Sequence, residues 1–330
     1  MQIGSTQVAD TFAEAFDMSY VRLILTAHDM TWVEAAVQEV TGYASSVIAC
    51  DVEAGLEKWI DKSLTPDGRP GASVLMFGFS ATGLAGAVPP RVGQCLMTCP
   101  STAVYDGLPA SQKRIPLGKQ IRFFGDGYQK SKLVGDRRYW RIPVMDGEFL
   151  VEESVGVETG VGGGNVILQA ASKEAGLDAA RRSADALATM DELITPFPGG
   201  VARSGSKVGS RYKGLPASTA DSYCPTLRGR VESRLLEDTQ VAYEVVIDGT
   251  SAEVVGEAVA EAARAAAGDN VLLIGAGNYG GKLGKHHFHL QLLGLARSIG
   301  THLAAIQSQA ALPLTDLPVS SSHLRSTLSG

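Results

Sequence analysis

Val241-Ala-Tyr-Glu-Val-Val-Ile-Asp248 reads as a strand, and it leads into Ala252–Ala267, where the apolar positions take helical spacing. Asn270-Val-Leu-Leu-Ile274 then returns to strand character and closes a β-α-β unit. The same unit occurs three more times. Upstream, Asn165–Ala171 (NVILQAA) leads into the Ala- and Leu-rich Lys173–Met190 and then Glu192–Thr195. In the first half, Tyr20–Ala27 is followed by a helix over Met30–Thr41 and a strand over Ser46–Cys50. Ala72–Phe79, a weaker helix near Thr82–Arg91 and a strand over Gln94–Cys99 make the fourth unit.

Two such units per half is the pattern of a ferredoxin-like βαββαβ layer. The expectation is an α/β (α+β) chain of two ferredoxin-like lobes related by duplication, although the halves share periodicity and no obvious residue identity. The divide falls near Val144–Glu148, giving an N-terminal lobe over 1–147 and a C-terminal lobe over 148–292. Leu295, Ile299, Leu303 and Ile306 keep helical spacing before Pro313 and Pro318, so 293–330 reads as an appended helix and tail.

Composition excludes several classes. The chain has 330 residues, 45% of them apolar, with 29 Lys+Arg against 35 Asp+Glu and a formal charge of −6. That suits a globular protein with no general attraction to nucleic acid or an anionic membrane. Asp10, Glu14 and Asp17 precede any apolar stretch, which argues against a signal peptide, and no run approaches the ~18 apolar residues of a membrane span. Cys50, Cys95, Cys99 and Cys224 form no Cys-x-x-Cys pair and read as reduced thiols of a cytoplasmic protein. Glycine is in excess, with 38 residues, which implies many tight turns.

Pro109–Pro143 differs from its surroundings, with nine basic residues against Asp126 and Asp136, interleaved with Phe123, Phe124, Tyr128, Tyr139 and Trp140. Three readings stay open: a solvated hairpin or subunit contact, a site for an acidic small molecule or partner, and single-stranded nucleic acid binding. The strands of neither half carry the aromatic and basic signature of an RNA-recognition module.

Gly275-Ala-Gly-Asn-Tyr-Gly280 fits the dinucleotide fingerprint and follows a strand. The helix and ribose-binding acid that should come next are missing, since no Asp or Glu lies between Asp269 and Asp316. We therefore expect no NAD site and read a glycine turn able to approach a substrate. Of His286, His287 and His289 only two share a strand face, so no metal site is expected. Glu244 stands apart as the lone charge among Val241–Ile247. A buried carboxylate must find a partner, keep a proton or serve a purpose; an ion pair and a general acid–base are both open. Three loops punctuated by Gly and Pro accompany it, Pro196–Gly200, Ser204–Ser210 and Pro216–Thr226.

Along roughly residues 1–292 the chain resembles the formylmethanofuran:tetrahydromethanopterin formyltransferases. The matching strings include Asp10-Thr-Phe-Ala-Glu-Ala-Phe16, Thr65-Pro-Asp-Gly-Arg-Pro-Gly71, Phe123-Phe-Gly-Asp-Gly-Tyr-Gln129, Ser206-Lys-Val-Gly-Ser210, Tyr243-Glu-Val and Gly280-Gly-Lys-Leu-Gly284. The resemblance implies formyl transfer between N5 of tetrahydromethanopterin and the primary amine of methanofuran or methylofuran. It makes Glu244 the general acid–base, in place of the ion pair that the strand pattern alone favours. Candidate substrate contacts implied on the matching loops are Phe197, Gly199, Gly200, Ser206 and Lys207, then Tyr223, Thr226, Gly277, Asn278 and Lys282. Amides of Gly199–Gly200 or Gly277–Gly281, or Lys207, are candidate oxyanion donors. The resemblance also implies no metal and no NAD, a homotetramer, and in the bacterial version a place beside hydrolase subunits in formaldehyde oxidation. A non-catalytic scaffold subunit of such a complex is the alternative.

Overall fold

The computed structural model describes residues 1–294, so the helix expected over Leu295–Ile306 lies outside the described residues. The first lobe runs β1 (Phe12–Thr26), α1 (Met30–Thr41), β2 (Glu53–Ile60), β3 (Gly71–Gly78), α2 (Ala81–Arg91) and β4 (Ala103–Asp106). Its strands lie in the order β4-β1-β3-β2, antiparallel throughout. The second runs β5 (Glu158–Ala170), α3 (Lys173–Leu187), β6 (Leu193–Ile194), β7 (Val241–Gly249), α4 (Ala252–Ala266) and β8 (Val271–Gly275). Its order, β8-β5-β7-β6, repeats the first lobe position for position. Both lobes are therefore βαββαβ layers of ferredoxin-like order.

Periodicity alone did not indicate that the two layers share one sheet. β1 pairs with β5 from Phe16↔Gly162 to Tyr20↔Glu158, which is why it extends well upstream of Tyr20. Each lobe keeps its own core on the helical side. In β7 the odd positions Val245 and Ile247 pack with Val166, Leu168 and the alanines of α3 and α4, leaving Glu244, Val246 and Asp248 on the opposite face. Ala179 and Ala180 of α3 and Ala258, Ala262 and Ala263 of α4 are buried, and the Ser183 hydroxyl donates to the Ala262 carbonyl at 2.8 Å. All four long helices start on a polar cap, Asp29, Ser80, Ser172 or Ser251, whose side chain accepts from the first turn.

Two expected strands are corrected. Ser46–Cys50 is a loop with Ala49 at φ 72°, and β2 begins at Glu53; the apolar run serves a cavity wall. Gln94–Cys99 continues α2 through a π-helical turn over Val92–Leu96, and the strand comes later, at β4. Pro89 and Pro90 inside α2 lack the N–H groups a regular turn uses, and the helix widens just beyond them.

The basic segment forms an outer hairpin, Lys130–Val134 with Arg137–Val144. Much of its charge is answered by acids: Arg114 by Asp106, Arg137 by Glu152, Arg141 by Glu148. Phe123, Phe124 and Tyr128 stay exposed. No helix among the described residues is long and apolar enough to cross a membrane.

Candidate active site

A cavity of about 490 Å³ lies on the face of β7 turned away from its helices, lined by Glu244 and Val246 of β7 and their cross-strand neighbours Ile167 and Asn165. Glu14, Phe16 and Met18 of β1 and the Ser46–Ala49 loop add first-lobe walls. Among the described residues Glu244 has no ion-pair partner, and burial lifts its carboxyl to about 7. The strand-face reading of Glu244 therefore holds, and a cross-sheet ion pair does not form.

The loop after β6 is tied back to this strand. Ala202 and Glu244 exchange backbone hydrogen bonds at 2.7 and 3.0 Å, which carries Ser204 and Gly205 over the carboxyl. A Cβ on Gly205 would stand 3.0 Å from Glu244 Oε2, so a larger residue there would make the carboxyl or the loop give way. Ser206 and Lys207 continue along the cavity in a short hairpin, Ser206–Val208 with Ala217–Thr219, where the Lys207 ammonium pairs with Asp221.

The glycine motif after β8 turns inward. Glu14, 1% exposed, accepts the backbone N–H groups of Tyr279, Gly281, Leu283 and Gly284 at 2.6 to 2.9 Å. Burial works to raise its carboxyl, but these four donors prevail and hold it at about 2. Such a run of amides around one oxyanion is a nest, of the kind that elsewhere grips phosphate. Here a side chain of the protein fills it, so these amides are not free to grip a phosphate. Asn165 fixes the start of the loop, accepting from the Gly277 N–H at 2.6 Å and donating to the Gly163 carbonyl at 3.1 Å. Asn278 donates to Thr11 Oγ1 and the Phe12 carbonyl, so its amide group also holds the loop.

Of the residues singled out in the sequence, Glu244, Phe197, Ser206, Lys207, Tyr223, Gly277 and Asn278 line one cavity, whereas Gly199, Gly200, Thr226 and Lys282 stand outside its lining. Gly200 is buried against Ala184 and Thr195 at φ 74° and serves packing. Most of the candidate oxyanion donors are already engaged. The N–H groups of Gly200, Gly277, Tyr279, Gly280 and Gly281 all donate within the protein, and Lys207 is paired.

Sequence reading missed Glu14, Gly205, Tyr279 and Arg234. Glu14 was detectable, being the lone charge of Phe12-Ala-Glu-Ala-Phe16, the same signature that marks Glu244. Tyr279 lines the cavity, and burial, Glu244 and Glu14 together push its phenol up, so it keeps its proton. Arg234, also in the lining, lies over the Tyr223 ring. No group of His, Cys, Asp and Glu suited to a metal ion occurs among the described residues. His286 instead meets Asp17, and the four thiols are free.

The family model of formylmethanofuran-tetrahydromethanopterin formyltransferase matches residues 1–144, and that of its proximal lobe matches residues 147–293. A formylmethanofuran–tetrahydromethanopterin formyltransferase of Methylococcus capsulatus is 48% identical over 88% of this chain and 99% of its own length. Two solved structures share the fold. The formylmethanofuran:tetrahydromethanopterin formyltransferase of Methanosarcina barkeri superposes with a TM-score of 0.83 at 40% identity, covering 89% of this chain and 100% of that one. The formyltransferase/hydrolase complex of Methylorubrum extorquens, determined with methylofuran, has a chain that superposes at 0.85 with 45% identity, covering 89% and 98%.

Proposed function

This chain belongs to the formylmethanofuran-tetrahydromethanopterin formyltransferase family, and from that premise we propose that it transfers a formyl group between N5 of tetrahydromethanopterin and the primary amine of a methanofuran-type coenzyme. The observation that carries this reading is the Glu244 carboxyl, desolvated to about 7 in the cavity. The cavity suits the reacting ends of two coenzymes, with their tails outside.

In the proposed step the amine nitrogen attacks the formyl carbon, forming a C–N bond and a tetrahedral oxyanion. Glu244, as the carboxylate, takes the proton the amine must lose. The bond from the formyl carbon to N5 then breaks, and the same carboxyl returns that proton to N5. Atoms balance with no oxidant or reductant, and the reverse direction uses the same two states of Glu244. A group near neutrality is half in each form, which suits both proton transfers. Tyr279 supplies a hydroxyl donor on the same wall, and Phe197 and Tyr223 offer aromatic surface to the furan and pterin rings.

The lobe division at 147/148, the homotetramer and the association with hydrolase subunits belong to this reading. The exposed Phe123, Phe124 and Tyr128 are the surface we assign to such contacts, and the free thiols suit a cytoplasmic location. The test is a spectrophotometric assay of formyl transfer from N5-formyl-tetrahydromethanopterin to methanofuran, comparing wild type with Glu244→Gln. A loss of kcat/KM by about 100-fold or more is expected. Activity within a few-fold of wild type overturns the acid–base role, and a wild type without transfer favours the scaffold subunit.

A further inference from the structure

Glu53, at the start of β2 and in the cavity lining, and Asp248, near the end of β7 and buried behind it, are two further acids that the transfer step does not use. Both are buried, Glu53 at 6% exposure and Asp248 at 0%. Their carboxyls meet. Glu53 Oε2 and Asp248 Oδ2 accept no hydrogen bond of good geometry, although the Ser46 hydroxyl also lies close enough to Glu53 to ease its carboxyl down. The remaining oxygens are engaged: Asp248 Oδ1 accepts the Gly163 N–H at 2.9 Å, and Glu53 Oε1 accepts the Cys50 thiol at 3.8 Å. The elements packed around them bring no countercharge. β3 sets Phe77 opposite Glu53, β6 sets Ile194 opposite Asp248, and Met18 of β1 and Gly162 of β5 close the gap. The titratable neighbours are Cys50 and Asp51, and both would add negative charge.

Two carboxylates in contact without a cation are strongly disfavoured, whereas one proton between them satisfies both orphaned oxygens in a single O–H···O bond. We propose that Glu53 and Asp248 share one proton across the junction of the lobes, as a positioning pair that fixes two walls of the cavity. Glu53 holds the Ser46–Cys50 loop, and Asp248 holds the Gly162–Gly163 turn; both segments contribute to the lining. Asp248 lies four residues beyond Glu244 on the same strand face, a rise of roughly 13 Å, so the pair acts through the walls and not on the reacting atoms. Burial raises both carboxyls; Glu53 pushes Asp248 further up, while the hydrogen bond from Asp248 eases Glu53 down, in keeping with a proton carried on Asp248 and shared with Glu53. Deprotonation would set two charges against each other and part the walls.

The assignment rests on the formyl-transfer reading only where activity is measured, so the experiment has arms that do not need it. In Asp248→Asn and Glu53→Gln an amide N–H replaces the shared proton and does not titrate. Acids whose protonated form is favoured by folding lose stability as pH rises. Wild-type Tm should therefore fall between pH 6 and pH 8.5 more steeply than that of either amide variant. In the assay, the KM for the furan amine should climb with pH in wild type and lose that climb in Asp248→Asn. Should both variants fail to fold, infrared spectra of Glu244→Gln at pH 7.5 should still show a protonated carboxyl. Equal Tm slopes in all three proteins, or the absence of that band, would overturn the shared proton. If transfer is absent while the slopes differ as expected, the pair stands and the functional reading falls.

Discussion

Glu14 and Gly284 lie 270 positions apart, yet Glu14 Oε1 accepts the Gly284 N–H at 2.7 Å. With the Leu283 N–H on the same oxygen and those of Tyr279 and Gly281 on the other, the first strand of one lobe shapes the glycine loop of the other.

Glu14→Gln tests that tie. The amide keeps one acceptor oxygen but turns an N–H₂ group toward donors, so at least two of the four bonds are lost. Bonds to a charged acceptor are the stronger ones, and a loss of about 2 kcal/mol is expected at pH 7. The sign with pH follows from the lowered carboxyl: its contribution is present above the unfolded value near 4.5 and disappears as pH falls toward about 2. Denaturant melts at pH 7 and pH 3 should show the two proteins converging at the lower pH. A constant gap would mean that the charge of Glu14 is not what holds the loop.

Glu244→Gln should do the reverse for stability. The raised carboxyl penalises the folded state progressively as pH rises from about 4.5 through about 7. The variant should thus be more stable than wild type at pH 8, by about 2 kcal/mol, even as transfer is lost. At pH 4 the two should melt together. An inactive variant that gains no stability at pH 8 would mean that Glu244 is solvated or paired in solution.

The sequence made these lobes legible because each helix and strand buries one face, and burial sets a period that needs no partner to be seen. β2 and β4 were misplaced because Ser46–Cys50 and Gln94–Cys99 are apolar for other reasons, a cavity wall and a widened helix. Glu244 could be read as a lone charge on an apolar strand. Glu14 carried the same signature, but its role depends on amides contributed by residues 279–284. The cost of a Cβ at Gly205 depends on a strand nearly forty residues away. Contacts of that kind are set by pairing between distant segments, and no local pattern records them.

Gly205→Ala isolates the geometry of the carboxyl. Its added Cβ would approach Glu244 Oε2 to 3.0 Å, tighter than carbon and oxygen normally come, so the carboxyl or the loop must yield. Because the loop is exposed on its outer side, stability should change by less than about 1 kcal/mol. A small displacement of a proton-transferring group is costly, and kcat should fall by about tenfold or more with little change in KM. Loss of KM instead of kcat would assign Gly205 to substrate binding.

Asn165 provides the sharpest contrast between an isosteric change and a truncation. Its Oδ1 accepts from Gly277 N–H, while its Nδ2 donates to the Gly163 and Gly277 carbonyls at 3.1 and 3.3 Å. Asn165→Asp keeps the shape and the first bond but sets an acceptor against two carbonyl oxygens in a site 7% exposed. Asn165→Ser removes the conflict along with the contacts. The aspartate should therefore be the more damaging change at pH 8, by about 1 to 2 kcal/mol, and should recover as pH falls and its carboxyl takes up a proton that can donate. Thermal melts of both variants between pH 5 and pH 8 decide the matter: parallel curves would show that the Asn165 amide donates nothing of consequence to these two turns.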